Sequence, residues 1–273
     1  MADYVFTAMQ KIVLIGAGNV ACTLGPELQA IESYEVVQVW SRTEDSAHHL
    51  ASVLNCDHTT DLNQVRRNAD IYIYSVKDSV LTDVLSTLTF HTSPLTSHHI
   101  LHLHTAGSAG LDVFGDDKPH CGVIYPFQTF SRSRRISMAG IPIFIESKLT
   151  EDLEQIRNFA RQISGSVYDF ASDNRQWLHL AGVFANNFTN VMYGIAAEKV
   201  KQAGLLPDVL QPLMQETINK LLCMSAREAQ TGPAVRGDKA VMQHQLELLT
   251  DPKQKDIYRL MSDYIVSSCR NSK

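Results

Sequence analysis

Residues 11–21 read KIVLIGAGNVA, and this stretch decides the fold. A short, mainly apolar run at 11–15 predicts a strand, and a helical pattern begins at Asn19. Gly16 permits a tight turn between the two elements, and Gly18 allows a close approach to the backbone. Ala21 is small enough for the helix to pack closely on the strand. The segment therefore predicts a strand, a glycine turn and a helix in succession.

The glycine turn predicts a dinucleotide-binding site. The free N–H groups and the dipole at the start of a helix attract the phosphates of a bound nucleotide. The pattern G-x-G-x-x-A is weak alone, but here it follows a strand and opens a helix near the start of an alternating domain. We expect cofactor contacts from five residues of the turn: Gly16, Ala17, Gly18, Asn19 and Val20.

Apolar runs and helical patterns alternate through about residue 170. Strands are predicted at 11–15, 35–40, 69–76, 99–104, 122–125, 141–145 and 167–170. Helices are predicted at 19–30, 79–88 and 150–163, with another ending at Leu54 after a capping box of Ser41 and Glu44. This alternation predicts an α/β fold, a Rossmann-type, doubly wound and mainly parallel sheet over residues 1–170.

The pattern becomes wholly helical after residue 170, which predicts a helical substrate and dimerisation domain over 171–273. Helices are expected at 174–201, 207–230, 238–249 and 252–268. The first of these is apolar on more than one face, so it needs a partner surface. We expect it to pack on the first domain and to form a homodimer with a second copy.

Composition excludes several classes of protein. Of the 273 residues, 44% are hydrophobic and 19% charged, which suits a packed core. The net charge of −5 argues against a nucleic-acid partner. We also expect no membrane span and no signal peptide. Five scattered cysteines without a C-x-x-C pair predict free thiols and a cytoplasmic protein.

The end of the second strand distinguishes NAD from NADP. NAD-binding sites usually place an acid there to accept from the ribose 2′-hydroxyl. This chain instead reads Trp40, Ser41, Arg42 and Thr43. An arginine beside two hydroxyls suits a 2′-phosphate, so we predict NADP as the cofactor. The alternative is that Arg42 caps a helix or stacks on the adenine.

Ligands of open α/β sheets bind at the carboxyl ends of the strands. Among residues at such ends, Val76 and Lys77 are predicted to contact the cofactor, and His104, Thr105 and Gln128 the substrate. Each could equally be ordinary loop structure. Three arginines in one loop favour either a solvated loop or one that faces an anion: Arg132, Arg134 and Arg135. Four histidines could suggest a metal, but no carboxylate or cysteine lies at companion spacing, so no metal is predicted: His98, His99, His102 and His104.

Several motifs occur in order: GAGNVA, SVKDS, HTAGS, YPFQTF and TGPAVRGD. With them the chain resembles Rossmann-like proteins with a helical C-terminal domain of unknown function, often labelled deazaflavin-dependent NADP oxidoreductases. The resemblance covers almost the whole chain from about Lys11. More distantly, over the first ~110 residues, the chain is similar to pyrroline-5-carboxylate, ketopantoate and β-hydroxyacid reductases. The label implies hydride exchange with a deazaflavin, of which the residues give no independent sign.

The distant resemblance implies a proton donor on the long helix, which in β-hydroxyacid dehydrogenases and ketopantoate reductases is a lysine. Here no lysine occurs between Lys148 and Lys199. His179 and Asn186, seven residues apart, share a helix face and are the predicted catalytic residues. Histidine can donate a proton near neutral pH. The alternative for His179 is a structural histidine at the domain interface.

A loop of two glycines and a proline at 231–238, TGPAVRGD, joins two predicted helices. Arg236 on this loop could clamp a substrate carboxylate, and Asp238 should cap the following helix. The sequence thus predicts an NADP-dependent oxidoreductase that reduces a small carbonyl or imino acid. The alternative is an NADP-binding or sensing protein that lacks catalysis.

Overall fold

A computed structural model describes residues 9–90 and 100–270, apart from the side chains of the last two. The chain forms two compact units, the first ending at Asn186 and the second beginning at Asn187. The predicted domain boundary after residue 170 stays a prediction. Among the described residues, no helix combines the length and apolar character that a membrane span requires.

The first unit contains one eight-stranded sheet. Its strands are β1 Gln10–Ile15, β2 Tyr34–Trp40, β3 Asp57–Thr59, β4 Ile71–Tyr74, β5 Leu101–His104, β6 Cys121–Pro126, β7 Ile143–Ser147 and β8 Val167–Asp169. They lie in the order β3-β2-β1-β4-β5-β6-β7-β8. All neighbouring pairs are parallel except β6 and β7, which pair antiparallel. The predicted Rossmann-type, mainly parallel sheet is confirmed.

Helices cover both faces of this sheet. They are α1 Asn19–Gln29, α2 Glu44–Leu54, α3 Asp78–Thr87, α4 Thr150–Ile163 and α5 Ser172–Gly182. Successive residues of β1 enter different cores: Ile12 and Leu14 pack in one buried cluster, Val13 and Ile15 in the other. All four side chains are fully buried, which explains why this part of the central strand is apolar at consecutive positions and not at alternate ones.

Two details of the second strand region differ from the prediction. The edge strand β3 pairs with β2, although its residues DHT show no apolar run. The expected capping box of Ser41 and Glu44 is wrong, because α2 begins at Glu44 with Thr43 as its N-cap. The Glu44 carboxylate instead bonds His58, with 2.7 Å between Oε1 and Nε2.

The second unit is helical. A π-helical segment at Val183–Phe188, which contains the unit boundary, interrupts the long helix predicted at 174–201. The remaining helices are α6 Thr189–Gln202, α7 Gln211–Cys223, α8 Ala226–Ala229, α9 Pro233–Arg236, α10 Lys239–Leu248 and α11 Pro252–Arg270. Ser225 ends the helix predicted at 207–230 early, because it forms a capping box with Glu228 and starts α8. Asp238 caps α10 as predicted, accepting from the Val241 N–H.

Candidate functional site

The glycine turn has the geometry that a close ligand approach requires. Gly16 has φ +118°, and a β-carbon there would lie 2.3 Å from the carbonyl oxygen of Ser75. Only glycine fits such a position without displacing β4's end from the turn. Gly18, in contrast, has open space, with Ser75 O 3.8 Å from the position of a β-carbon. Gly16 is therefore required by the fold, and Gly18 leaves room above the backbone.

The start of α1 is prepared for an anion. Its N-cap is Gly18, whose missing side chain leaves the first N–H groups uncapped, and no acid occurs in its first turn. The other α-helices that follow strands carry acids in the first turn: Glu44 and Asp45 in α2, Asp78 in α3, Glu151 and Asp152 in α4, and Asp173 in α5. A diphosphate at α1 therefore meets uncompensated N–H groups and the positive end of the helix dipole.

The three residues predicted to read the adenosine end follow β2 directly. Ser41 is half-buried, whereas Arg42 and Thr43 are exposed. The nearest acid, Glu44, is engaged with His58 and is therefore not free to accept from a ribose hydroxyl. This end of the sheet presents a guanidinium and hydroxyl groups, a set that suits a phosphate.

A groove of about 480 Å³ opens at the carboxyl ends of β1, β4, β5 and β6. This volume is in the range of small-molecule sites. Its lining includes residues predicted from the sequence: Gly18, Asn19, Val20, Val76, Lys77, Thr105, Gln128 and His179. The other lining residues belong to the same strand-end segments but were not singled out individually: Ser75, Asp78, Ala106, Gly107, Tyr125 and Pro126.

Tyr125 and His179 form a hydrogen-bonded pair in the groove. The distance between Tyr125 Oη and His179 Nδ1 is 3.1 Å. Tyr125 is the next-to-last residue of β6 and is half-buried, whereas His179 lies on α5 and is exposed. Burial raises the pKa of Tyr125 to about 12, and the negative charge of Asp78 adds to the rise. The phenol therefore keeps its proton at neutral pH while its partner remains open to solvent.

Small groups beside this pair shape the floor of the groove. A β-carbon on Gly107 would lie 2.5 Å from His179 Nδ1 and 2.9 Å from Tyr125 Cζ. Thr105 Oγ1 donates to Ser75 Oγ at 3.3 Å. The Asp78 carboxylate accepts hydrogen bonds from both the backbone N–H and the hydroxyl of Ser108, which joins the loop after β5 to α3.

His104 lies below the groove and does not face it. It is fully buried, its Nδ1 accepts from the Ala106 N–H at 3.2 Å, and its Nε2 lies 3.3 Å from the Gly110 carbonyl. These two contacts require the neutral ring with the proton on Nε2. Burial lowers its pKa to about 4, and the neighbouring Arg175 charge acts in the same direction. The structure thus gives His104 a supporting position and no access to substrate, contrary to the sequence expectation.

His102 is also a core residue. Its Nδ1 lies 3.0 Å from Tyr74 Oη, and its ring stacks on Tyr72 and meets Phe90 edge-on. Burial lowers its pKa to about 3. His98 and His99 lie outside the described residues.

A buried ion pair holds α5 against the sheet. Arg175 Nη1 lies 2.7 Å from Glu146 Oε2, and its Nη2 donates to the Ala109 carbonyl and to Ser172 Oγ. Burial alone would raise the pKa of Glu146, but hydrogen bonds from Ser172 and Arg175 outweigh burial and hold it below its usual value. Because Arg175 precedes His179 by one helical turn, the pair also positions the groove histidine.

Asn186 and Arg236 do not line the groove as it is described, and the same holds for six other predicted site residues: Gly16, Ala17, Ser41, Arg42, Thr43 and His104. Asn186 is exposed in the π-helical segment that ends the first unit. Arg236 is exposed at the end of α9 in the second unit. Their proposed roles as catalytic and substrate-binding residues stay predictions.

A second polar cluster lies at the opposite edge of the sheet, before β6. His120, Glu151 and Asp152 place one potential ligand atom each within 4.8 Å of one another. His120 Nδ1 is 3.1 Å from Asp152 Oδ1. A hydrogen bond between the residue that precedes β6 and the first turn of α4 accounts for this pair, and we assign no metal to it.

The turn, the helix terminus and the groove together define a Rossmann-type dinucleotide-binding protein. Residues 11–101 match the family described as NADP oxidoreductase, coenzyme F420-dependent, and residues 141–265 match a domain of unknown function, DUF2520. A solved protein of Bacteroides fragilis, provisionally described as an NADP oxidoreductase, is 42% identical, with a TM-score of 0.88 over 94% of this chain and 98% of that one. The chain belongs to this family of NADP oxidoreductases. The NADP prediction agrees with that membership.

More distant solved structures share the fold. A protein from Thermotoga maritima is 20% identical with a TM-score of 0.65, over 95% of this chain and 99% of that one. An imine reductase from Myxococcus stipitatus, solved in complex with NADP+, is 16% identical with a TM-score of 0.60, over 96% and 93% of the two chains. No curated protein matches the chain.

Proposed function

We propose that this protein is an NADPH-dependent reductase of a small carbonyl or imino acid. The observation that carries the proposal is the Tyr125–His179 pair, 3.1 Å apart, in the groove that the glycine turn also lines. A reduction of C=O or C=N needs a hydride on carbon and a proton on the heteroatom. The groove offers a nucleotide-binding turn and a proton donor side by side.

The dinucleotide would be held along the carboxyl ends of the strands. The uncapped start of α1 suits its diphosphate, and Arg42 with its neighbouring hydroxyls suits the adenosine 2′-phosphate. The ends of β4 and β5 line the groove with Val76 and Lys77, which would contact the nicotinamide half, and with Thr105, which would contact the substrate. When bound, the reduced nucleotide supplies the hydride.

The chain's own residues supply the proton. Tyr125 is protonated at neutral pH because its pKa is near 12, and it can donate to an oxygen or nitrogen that becomes basic as hydride arrives. His179, hydrogen-bonded to Tyr125 and exposed, returns a proton to the phenolate from solvent. The two side chains therefore act as one acid, with the tyrosine directed inward and the histidine outward.

Cationic side chains are the reason for proposing that the substrate carries a carboxylate. Lys77, which would lie beside the nicotinamide half of the cofactor, also faces the open groove and can pair with the carboxylate of a substrate bound next to the nicotinamide. Arg236 was predicted for the same role, and Asn186 was predicted as a catalytic residue, where its amide would orient the substrate. Separate Arg236→Ala and Asn186→Ala variants test these assignments. If the assignments hold, each variant should show a higher KM for the substrate or a lower kcat than the unaltered protein.

We also propose a homodimer through the helical unit. Among its described residues, Ala234 alone is buried. Large apolar side chains are strongly exposed, including Leu206, Leu222, Leu260 and Tyr264 at 70% or more. Such a surface requires a cover, and a second copy with the same apolar faces is the partner that fits. Light scattering at micromolar concentration should give twice the 30.4 kDa chain mass, and a monomer would refute the dimer.

The proposed activity is tested by following NADPH oxidation with a panel of 2-oxo acids, cyclic imino acids and oxidised deazaflavin. Tyr125→Phe should lower kcat by about a hundredfold on the active substrate, as expected when a general acid is lost. The NADPH dissociation constant should stay unchanged. Tyr168→Phe is the matched control, because Tyr168 is half exposed on β8 and stacks on Phe144, outside the groove lining.

The outcomes separate the alternatives. Turnover of an acid substrate that depends on Tyr125 supports the reductase. NADPH binding without turnover of any compound favours the sensing protein, and turnover with the deazaflavin alone moves the hydride acceptor to that cofactor. Equal activity of Tyr125→Phe and the unaltered protein would refute the assigned acid.

A further inference from the structure

A long loop between β6 and β7 reaches the glycine turn. Arg132 on this loop donates from Nη2 to the carbonyl oxygen of Ala17, in the middle of the turn. The same guanidinium lies 3.3 Å from Ser46 Oγ through both Nη1 and Nη2. One side chain, 115 residues away in sequence, therefore bridges the turn before α1 and the first turns of α2.

The position of this bridge coincides with the adenosine end of the proposed site. Ser46 follows Arg42 by four residues, at the start of the helix after β2. In Rossmann-type sheets, the residues after the second strand read the adenosine ribose, and the turn after the first strand holds the diphosphate. A guanidinium that touches both elements lies between these two parts of a bound dinucleotide.

The loop is built to present this arginine. A tight turn forms as Arg134 N donates to Ser131 O at 3.3 Å, and the hydroxyls of Ser131 and Ser133 lie 2.9 Å apart. The three arginines of this loop are exposed, but among the described contacts the Arg132 side chain is the one that reaches the glycine turn and α2. Burial raises the pKa of the Cys22 thiol on α1, and the positive charges of Arg132 and Arg135 act in the opposite direction.

Charge balance shows why a second arginine is needed. A 2′-phosphate carries close to two negative charges at neutral pH. The first turn of α2 adds two carboxylates, Glu44 and Asp45, of which Glu44 is paired with His58. With Arg42 alone, the phosphate would lie near the carboxylate of Asp45 without enough positive charge to offset their repulsion. A second guanidinium offsets this repulsion.

We propose that Arg132 is a specificity residue that binds the 2′-phosphate of NADP together with Arg42 and Ser46. The inference rests on the proposed function, because it assigns the recognition of NADP to this site. The planar guanidinium can keep its bond to Ala17 O through one edge and offer its remaining N–H groups to phosphate oxygens. This explains how an exposed loop far along the chain contributes to cofactor choice.

The test compares NADPH and NADH binding by titration calorimetry at one ionic strength. Arg132→Gln should weaken NADPH binding by about tenfold or more, the usual effect of losing a charge-assisted contact, and NADH binding by less than about threefold. Arg132→Lys keeps the charge but not the fork, so its NADPH affinity should be intermediate. Arg134→Gln removes the same charge from the same turn and should leave the ratio of the two affinities unchanged.

Three results would overturn the proposal. An equal loss for both nucleotides would assign Arg132 to the diphosphate or to the turn itself. If Arg134→Gln lost as much NADPH affinity as Arg132→Gln, the effect would come from the net charge of the loop and not from a contact made by Arg132. Unchanged NADPH binding by a normally melting Arg132→Gln variant would remove Arg132 from the site while leaving the proposed function intact. If the unaltered protein bound neither nucleotide, the proposed function itself would fail.

Discussion

Gly107 and His179 are so close that a β-carbon on Gly107 would lie 2.5 Å from the imidazole Nδ1. The same atom would meet Tyr125 Cζ at 2.9 Å. The absence of a side chain on the loop after β5 is thus what allows the proposed acid pair to form. A methyl group there must displace one ring of the pair.

Gly107→Ala should therefore lower kcat of the reductase by about tenfold or more, because a small misplacement of an acid is costly. NADPH affinity should change little, since the diphosphate turn is untouched. Gly140→Ala is the matched control, because nothing lies within 4 Å of a β-carbon at Gly140. Steady-state kinetics and a melting curve of each variant suffice, and full activity of Gly107→Ala would show that the pair is not the acid.

Buried Arg175 supports this arrangement from below. Removing one partner of a buried ion pair leaves an uncompensated charge, which costs about 3 kcal/mol or more. Arg175→Met should lower the free energy of unfolding by that amount, because Glu146 would lose the guanidinium 2.7 Å away. Arg259→Met is the control, since its pair with Asp256 is exposed and should contribute less than about 1 kcal/mol. Urea denaturation measures both, and equal effects would contradict the buried pair's importance.

The sheet could be predicted because strands that are buried on both faces consist of consecutive apolar residues. The central strands β1, β2 and β4 were located to within a few residues for this reason. The edge strand β3 was not predicted, because its three residues, DHT, contain no apolar run. Its position depends on pairing with β2. The Ser41–Glu44 box failed for a related reason: a tertiary contact with His58 took the carboxylate that the local pattern assigned to the cap.

The site was only half visible. The glycine turn is local, so its residues could be named from the sequence. Tyr125 and His179 are 54 residues apart, and their pairing depends on how β6 and α5 meet. The motif YPFQTF follows a predicted strand and supplied Gln128 as a candidate, but nothing local distinguished Tyr125 from its neighbours. His104 was predicted as a substrate contact but lies in the core, because a histidine at a strand end can point into the core as readily as out of it.

The two core histidines should make the fold sensitive to acid. The pKa of His102 is about 3 and that of His104 about 4, both below the value near 6.5 of an unfolded chain. Between about pH 6.5 and 4 the unfolded state therefore binds protons that the folded state excludes, so stability falls as the pH falls. Each histidine can contribute up to about 1.4 kcal/mol per pH unit in this window.

Urea unfolding at a series of pH values tests this slope. His104→Asn should lower stability at pH 8, through lost packing, yet give a shallower decline toward pH 4.5. The exposed His49→Asn on α2 should leave the slope as it is. Glu146 does not confuse the measurement, because its pKa is depressed and its contribution is lost only below the ordinary glutamate range. A slope that His104→Asn leaves unchanged would show that this ring is not excluded from protonation.

Substitution of the two glycines of the turn should have different effects on stability. Gly16 has φ +118°, and its β-carbon would lie 2.3 Å from Ser75 O, so Gly16→Ala must strain or separate β1 and β4. We expect a loss of at least about 2 kcal/mol in unfolding free energy. Gly18 has φ −80° and free space, so Gly18→Ala should fold with stability within about 0.5 kcal/mol of the unaltered protein.

The same Gly18→Ala variant should nevertheless bind NADPH at least about tenfold more weakly, because its methyl group would stand where the diphosphate approaches the backbone. Melting curves and nucleotide titration on both variants give a two-by-two comparison. A Gly18→Ala protein that folds and binds as before would show that the start of α1 does not hold the cofactor. A Gly16→Ala protein of normal stability would mean that the turn has another backbone conformation than the one described.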